Sequence, residues 1–131
     1  MKTRMTIISA LALGVLSLQT AQAQQLHIQR IDLAKSNISV PGKEAIQTRV
    51  DLNPGALATN HKHPDEEIAV VLQGTLEYRI DGRKPVTLKA DQSLFIPSGV
   101  PHTAKNVGDG KASELATYVV SKGVALVEPV K

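Results

Sequence analysis

The sequence predicts an all-β domain built as a sandwich or a barrel. After the N-terminal apolar stretch, no window of useful length repeats its apolar residues at the helical period. Short segments that alternate apolar and polar residues, the pattern of half-buried strands, recur along the chain instead. Proline and glycine turns separate these segments at regular spacing. Many short strands joined by such turns are typical of antiparallel all-β folds.

The N-terminal segment has the composition of a secretory signal peptide. Lys2 and Arg4 precede an apolar run from Ile7 to Leu18, and the small residues from Ala21 to Ala23 form a cleavage pattern. The run is shorter than the about 20 apolar residues that span a bilayer, which disfavours a membrane anchor. We therefore predict cleavage after Ala23 and export to the periplasm, with secretion to the medium as the alternative. No membrane association is expected after cleavage.

The remaining chain, residues 24–131, is predicted to form a single domain of 131 − 23 = 108 residues. Without Lys2 and Arg4, its 15 − 2 = 13 basic residues nearly balance 12 acidic ones. This balance, with no tryptophan and few other aromatic residues, gives no nucleic-acid-binding footprint. The absence of cysteine excludes disulfides, thiolate nucleophiles and thiolate metal ligands.

The strands can be placed in order from their apolar periods. Residues 24–37 alternate weakly and are predicted to form an edge strand or a covering arm. Residues 44–52 alternate strictly, which puts Gln47 and Arg49 on the face opposite Val50. The other predicted strands are 68–72, 75–80, 84–89, 93–96, 102–107, 112–121 and 124–127.

The stretch from Gly55 to Gly74 carries most of the chemistry. His61 and His63 are two residues apart, so both imidazoles point to the same face of an extended strand. Glu67 follows His63 across a proline break, and His102 comes just after a proline- and glycine-rich turn. Three imidazoles and one carboxylate are a good ligand set for a divalent transition metal.

These residues resemble the two motifs of the cupin superfamily. The first motif is Gly, five residues, His, one, His, three or four, Glu, six, Gly, and it is matched at Gly55, His61, His63, Glu67 and Gly74. The second is Gly, five, Pro, one, Gly, two, His, three, Asn, and it is matched at Pro97, Gly99, His102 and Asn106. Asp91 stands where the second motif begins with glycine, a turn position that tolerates aspartate. The resemblance implies a double-stranded β-helix, or jelly-roll, barrel.

The resemblance also implies a ligand set and a cofactor. It makes His61, His63, Glu67 and His102 the ligands of a divalent transition metal: iron, manganese, nickel, copper or zinc. Glu66 is a competing carboxylate, but the motif spacing and the alternation of faces both favour Glu67. His27 lies outside the motifs and is predicted to be a surface or arm residue.

Metal-bound single-domain cupins that resemble this chain include dioxygenases, isomerases and lyases. We therefore expect a metal-dependent, dioxygenase-like enzyme with a small-molecule substrate, in which Glu67 is both ligand and proton acceptor. Tyr78 is expected to line the cavity, and Gln47 and Arg49 are candidates to orient an anionic group. At such positions, a tyrosine is more often a plain barrel-lining residue, and a pair such as Gln47 and Arg49 is more often a solvated strand face.

The alternative function is a periplasmic module that binds or senses a small molecule or metal without turnover. No histidine remains near the site as an extra acid or base once three are ligands, which favours this alternative. Either protein is expected to be a homodimer, since single-barrel cupins commonly pair through edge strands. The apolar residues 124–127 and the N-terminal arm are the predicted pairing surface.

Overall fold

The computed structural model describes residues 28–131, which form ten β-strands and no helix. The strands are β1 Ile28–Asn37, β2 Lys43–Leu52, β3 Leu57–Lys62, β4 Glu66–Gln73, β5 Thr75–Ile80, β6 Val86–Lys89, β7 Ser93–Ile96, β8 His102–Asn106, β9 Ala112–Ser121 and β10 Glu128–Pro129. Within this part of the chain, no helix is long and apolar enough to cross a membrane. The predicted signal peptide, residues 1–23, and His27 lie outside the described residues.

The strands form two five-stranded antiparallel sheets. Their orders are β1-β2-β9-β4-β7 and β10-β3-β8-β5-β6, so the chain crosses repeatedly from one sheet to the other. The larger core cluster draws on both sheets, with Val50 and Val71 from the first and Leu76 and Ala104 from the second, all buried. This arrangement confirms the predicted all-β, jelly-roll barrel.

The alternation of β2 explains which side chains face the core. Thr48, Val50 and Leu52 are buried, whereas Gln47 and Arg49 between them are only half-buried. The pattern continues across the neighbouring β9, which pairs with β2 over its whole length. Because successive side chains of a strand point to opposite faces, Gln47 and Arg49 lie on the outer face of this sheet.

The prediction of a strand at residues 124–127 is wrong. This apolar run forms bends and irregular backbone, and the last strand, β10, begins only at Glu128, where the chain pairs with β3. Val124 is 48% exposed, but Leu126 packs against the core cluster that contains Tyr118. The apolar residues here cover the core without forming a strand. The backbone pairs with β3 only from Glu128 onward.

Two backbone positions explain motif residues that are not candidate ligands. Gly74 has a φ of 76°, and a Cβ there would lie 2.7 Å from the carbonyl oxygen of Lys111. Asp91, at the position of the motif's missing glycine, has a φ of 70°. Aspartate is one of the few residues other than glycine that enter this left-handed region readily. The departure from the motif therefore preserves the turn between β6 and β7.

The last residue of the second motif, Asn106, is a buried structural linker. Its Nδ2 donates to the carbonyl oxygens of Leu52 at 3.0 Å and Gly110 at 2.8 Å. Its Oδ1 accepts a hydrogen bond from the Gly108 backbone N–H at 3.0 Å. One amide thus satisfies three backbone groups and joins the ends of β2 and β8 to the following turn.

Candidate metal centre

Three histidines converge inside the barrel. His61 lies at the end of β3 and His63 just after it, while His102 begins β8 and pairs directly with His61. The ring centroids are 5.0 Å apart for His61 and His63, 4.3 Å for His61 and His102, and 5.1 Å for His63 and His102. One ligand atom from each ring lies within 4.8 Å of the others. The structure therefore brings together three side chains that the sequence separates by 41 positions.

Backbone carbonyls fix the orientation of all three rings. The Nδ1 atoms of His61, His63 and His102 lie 2.8, 2.6 and 3.0 Å from the carbonyl oxygens of Thr59, Leu126 and Val100, respectively. A carbonyl oxygen can only accept, so each Nδ1 carries the proton. In the neutral ring, each Nε2 then presents a lone pair. A hydrogen bond from the non-ligating ring nitrogen to a carbonyl typically orients histidine ligands of metals.

Glu67 completes the cluster from β4. Its Oε2 lies 2.8 Å from Nε2 of His63 and 3.5 Å from Nε2 of His102, and the residue is 3% exposed. Neighbouring Glu66 points to the outside and is exposed. Of the two carboxylates weighed from the sequence, Glu67 is thus the one that the structure places beside the histidines.

The contact between His63 and Glu67 provides a test of whether a cation fits this site. With the proton on Nδ1, the Nε2 of a neutral His63 and the Oε2 of an ionised Glu67 are both acceptors. Neither atom has a hydrogen-bond partner, and both are buried. Two buried acceptors 2.8 Å apart require a proton or a metal cation between them. The donor set of three imidazoles and a carboxylate suits a divalent transition metal.

The electrostatics of the cluster favour neutral His61 and ionised Glu67. Burial lowers the pKa of His61 to about 4, which keeps its imidazole neutral at physiological pH. Burial alone would raise the pKa of Glu67, but the adjacent His102 and His63 rings outweigh it and lower the pKa to about 2. For His102, burial is likewise outweighed by the nearby Glu67 carboxylate, so its pKa is raised. The opposite shifts of Glu67 and His102 show that an ionised carboxylate here favours a positive charge beside it.

The structure places Tyr78 on the inner face of β5, where its hydroxyl donates a short hydrogen bond to Glu114. Burial and the nearby Glu67 charge raise the pKa of Glu114 to about 7. Burial, followed by the Glu114 charge, raises the pKa of Tyr78 well above its ordinary value. Near neutral pH, Tyr78 therefore holds its proton while Glu114 can gain or lose one.

Glu114 and Tyr118 were missed in the sequence. Both lie on the inner face of β9, between Ala112 and Val120, and the Tyr118 ring is 4.8 Å from that of His63. The available signal was a single glutamate on the apolar face of an alternating strand. Such a residue is buried against its preference, which commonly marks a functional site.

Gln47 and Arg49, the two residues expected to orient an anionic group, are not brought to the histidines. Gln47 donates to the Thr117 hydroxyl at 3.2 Å, and Arg49 forms an ion pair with Asp51 at 3.1 Å. Both contacts lie on the outer face of the first sheet. The structure thus gives these two residues the arrangement of a solvated strand face.

Comparison with known proteins identifies the family. Residues 48–128, more than half of the chain, match the family described as "Cupin domain". The chain belongs to the cupin family. This match spans His61, His63, Glu67 and His102, and it agrees with the resemblance seen in the motifs.

The cupin has relatives among characterised proteins. Over 62 residues it is 42% identical to the polyketide synthase CurC of Streptomyces cyaneus, covering 47% of this chain and 40% of CurC. Over 45 residues it is 40% identical to the dimethylsulfoniopropionate lyase DddQ of Ruegeria pomeroyi, covering 34% of this chain and 22% of DddQ. The matched stretches span less than half the length of these relatives.

Solved structures show the same fold at low identity. The crystal structure of DddQ from Ruegeria pomeroyi has a TM-score of 0.67 and 23% identity, covering 79% of this chain and 52% of that chain. An oxalate oxidase structure has a TM-score of 0.59 and 24% identity, covering 74% of this chain and 60% of that chain. At these identities, the likeness concerns the barrel alone.

Proposed function

We propose that this cupin is a metal-dependent enzyme that acts on a small organic molecule, with dioxygenase-like oxidation as the first reaction to test. The observation that carries the proposal is the cluster of three carbonyl-oriented imidazoles, two of which also lie beside the buried carboxylate of Glu67. Building such a polar cluster into a small core costs stability unless a cation balances it. The similarity to a lyase and to an oxalate oxidase fits an enzyme but does not choose the reaction.

In this proposal, His61, His63, His102 and Glu67 hold the metal. When bound, a divalent transition metal supplies Lewis acidity and, for iron, manganese, nickel or copper, redox chemistry. The chain's own residues supply orientation and proton handling. The carbonyls of Thr59, Leu126 and Val100 fix the rings. Glu67 supplies negative charge, and its pKa of about 2 keeps it ionised as a ligand.

The Tyr78 hydroxyl and the Glu114 carboxyl form a second polar pair inside the barrel. Because the pKa of Glu114 is about 7, its carboxyl can accept or release a proton near neutral pH. In this pair, Tyr78 keeps its hydroxyl proton and donates it in the hydrogen bond to Glu114. The pair offers acid–base capacity that the three histidines, committed as ligands, do not.

A binding or sensing module without turnover is the second candidate. Among residues 28–131, all three histidines belong to the cluster, so no imidazole remains for proton transfer. Oxygen uptake measured with flavonols, catechols, thiols and diketones separates the two candidates. Turnover of one of them by the metal-loaded protein supports the enzyme, and no turnover with any of the candidate metals contradicts the oxidative proposal.

The ligand assignment has its own test. We expect elemental analysis of protein purified without chelators to give near-stoichiometric metal. His61→Ala and His102→Ala should lose it, because each removes one of four donors. Glu66→Gln, a change on the outside of the same strand, is the matched control and should keep it. Full metal content in both histidine variants contradicts the assignment.

We also propose export and pairing, which are supported by the sequence features described above. The signal-like residues 1–23 predict a mature protein that begins at Gln24 in the periplasm. N-terminal sequencing of protein recovered from the periplasmic fraction tests this. For pairing, β1 is an unpaired sheet edge that can accept a second chain.

A further inference from the structure

A cavity of about 220 Å³ opens between β1 and β3, at the edge of the barrel nearest His61. Its walls include Ile28, Leu57 and Val127, which are apolar, the positively charged Arg30 and the neutral imidazole of His61. At about 30 Å³ per water molecule, the cavity holds about seven water-sized groups. It is therefore suited to a small molecule that reaches one of the three clustered histidines.

Arg30 is on the core-facing side of its strand although the residue is exposed. It pairs directly with Val50, which is buried, and residues directly opposite in an antiparallel pair share a face. Its charge acts on core-facing groups, where it lowers the pKa of Tyr118, Glu114 and His61 as a secondary effect. Arg30 thus reaches from the cavity mouth towards the cluster.

Arg30 has no direct ion-pair partner within the described chain. Two other arginines, Arg49 and Arg79, form ion pairs with Asp51 and Glu77. Arg30 makes no ion pair with any carboxylate of residues 28–131. None of the described residues that line the cavity is acidic. A guanidinium beside an apolar pocket without a carboxylate partner is arranged to receive one.

We propose that the substrate or ligand of this cupin is a small organic acid whose carboxylate pairs with Arg30. The hydrocarbon part of the acid packs on Ile28, Leu57 and Val127, and its other end points towards His61. This inference rests on the proposed function and narrows its substrate class. Arg30 takes the anion-orienting role that sequence reasoning gave to Gln47 and Arg49.

The test uses butanoate and 2-hydroxybutanoate as probes, with the neutral butanamide for comparison. Binding is measured by calorimetric titration, and the metal content of each preparation is measured in parallel. We expect the wild-type protein to bind at least one acid more tightly than butanamide. Arg30→Gln should weaken binding of that acid about 10- to 100-fold, the range for a lost charge-assisted hydrogen-bonded pair. Arg30→Lys should recover part of the affinity, because it restores charge but not the planar fork.

Arg49→Gln is the matched control, since it removes an arginine from the outer face of the adjacent strand and should leave binding unchanged. Equal affinity of wild type and Arg30→Gln, equal affinity for butanoate and butanamide, or no binding of either acid overturns the inference. Protein that contains metal but fails these tests contradicts only the carboxylate assignment. Protein that takes no metal but binds the acid through Arg30 contradicts the proposed function and leaves this inference standing.

Discussion

Replacement of Glu114 by glutamine should change how the stability of the protein depends on pH. Glu114 is 7% exposed, and its pKa in the folded protein is about 7 against an ordinary value of 4.5. Burial is the main cause, followed by the charge of Glu67. Glutamine keeps the shape of the side chain and can still accept the Tyr78 hydrogen bond. The substitution therefore removes the titration with little change in packing.

The sign and size of the effect follow from this shift. Between pH 4.5 and 7, the unfolded chain has lost the Glu114 proton while the folded chain still holds it. Stability contributed by this carboxyl is complete below pH 4.5 and is lost as the pH rises through about 7. A shift of about 2.5 units corresponds to about 3 kcal/mol, at about 1.4 kcal/mol per unit. Relative to wild type, Glu114→Gln should therefore gain about 3 kcal/mol from pH 4.5 to pH 8.

The assay is urea unfolding followed by far-ultraviolet circular dichroism, in the presence of a chelator, at several pH values across this range. The difference in unfolding free energy between wild type and Glu114→Gln is the quantity to compare across pH, because titrating groups distant from Glu114 cancel in it. Glu66→Gln, an exposed carboxylate on β4, is the control. A difference that stays constant with pH would refute the reasoning. Bound metal should reduce the effect, because it offsets the Glu67 charge that raises the Glu114 pKa.

Three further predictions concern a buried hydrogen-bond network, a tightly packed turn glycine and the oligomeric state. Asn106→Ala should lower the unfolding free energy by about 2–4 kcal/mol, because it leaves buried backbone groups without partners, and the urea midpoint measures this. Gly74→Ala should cost at least about 2 kcal/mol, since the Cβ would meet the Lys111 carbonyl oxygen. Gly82→Ala, where φ is similar but the space is open, should cost only about 1 kcal/mol, and equal costs would contradict the steric argument. Light scattering after size exclusion should show a dimer, and a particle with the mass of one chain would contradict pairing.

The sequence was informative about the ligand cluster because its geometry depends on local rules. The spacing of two between His61 and His63, and the alternation that separates Glu67 from Glu66, follow directly from the strand period. The barrel was predictable for the same reason, since its strands alternate and its turns carry glycine or proline. Strict alternation in β2 also placed Gln47 and Arg49 on the face opposite the buried Val50, which is the outer face of the sheet.

The parts that sequence reasoning missed depend on long-range placement. Arg30 lies on an edge strand that is exposed on much of both faces, so its apolar period is too weak to show which side chains face the core. Its role appears only when β1 and β3 are seen to flank one cavity. The irregular path of residues 124–127 has a similar origin, because the apolar side chains cover a core that is assembled from distant strands.

The hydrogen bond from His63 to the Leu126 carbonyl joins the cluster to the last segment of the described chain, 63 positions away. No other contact of the three rings with a carbonyl spans more than two positions. The order of this segment and the affinity of the centre are therefore thermodynamically linked, and each should strengthen the other. A protease that removes Leu126 would remove the carbonyl that orients His63, although Leu126 is not itself a ligand. Occupancy of the site would in turn slow that trimming, so the end of the chain can report on the state of the centre.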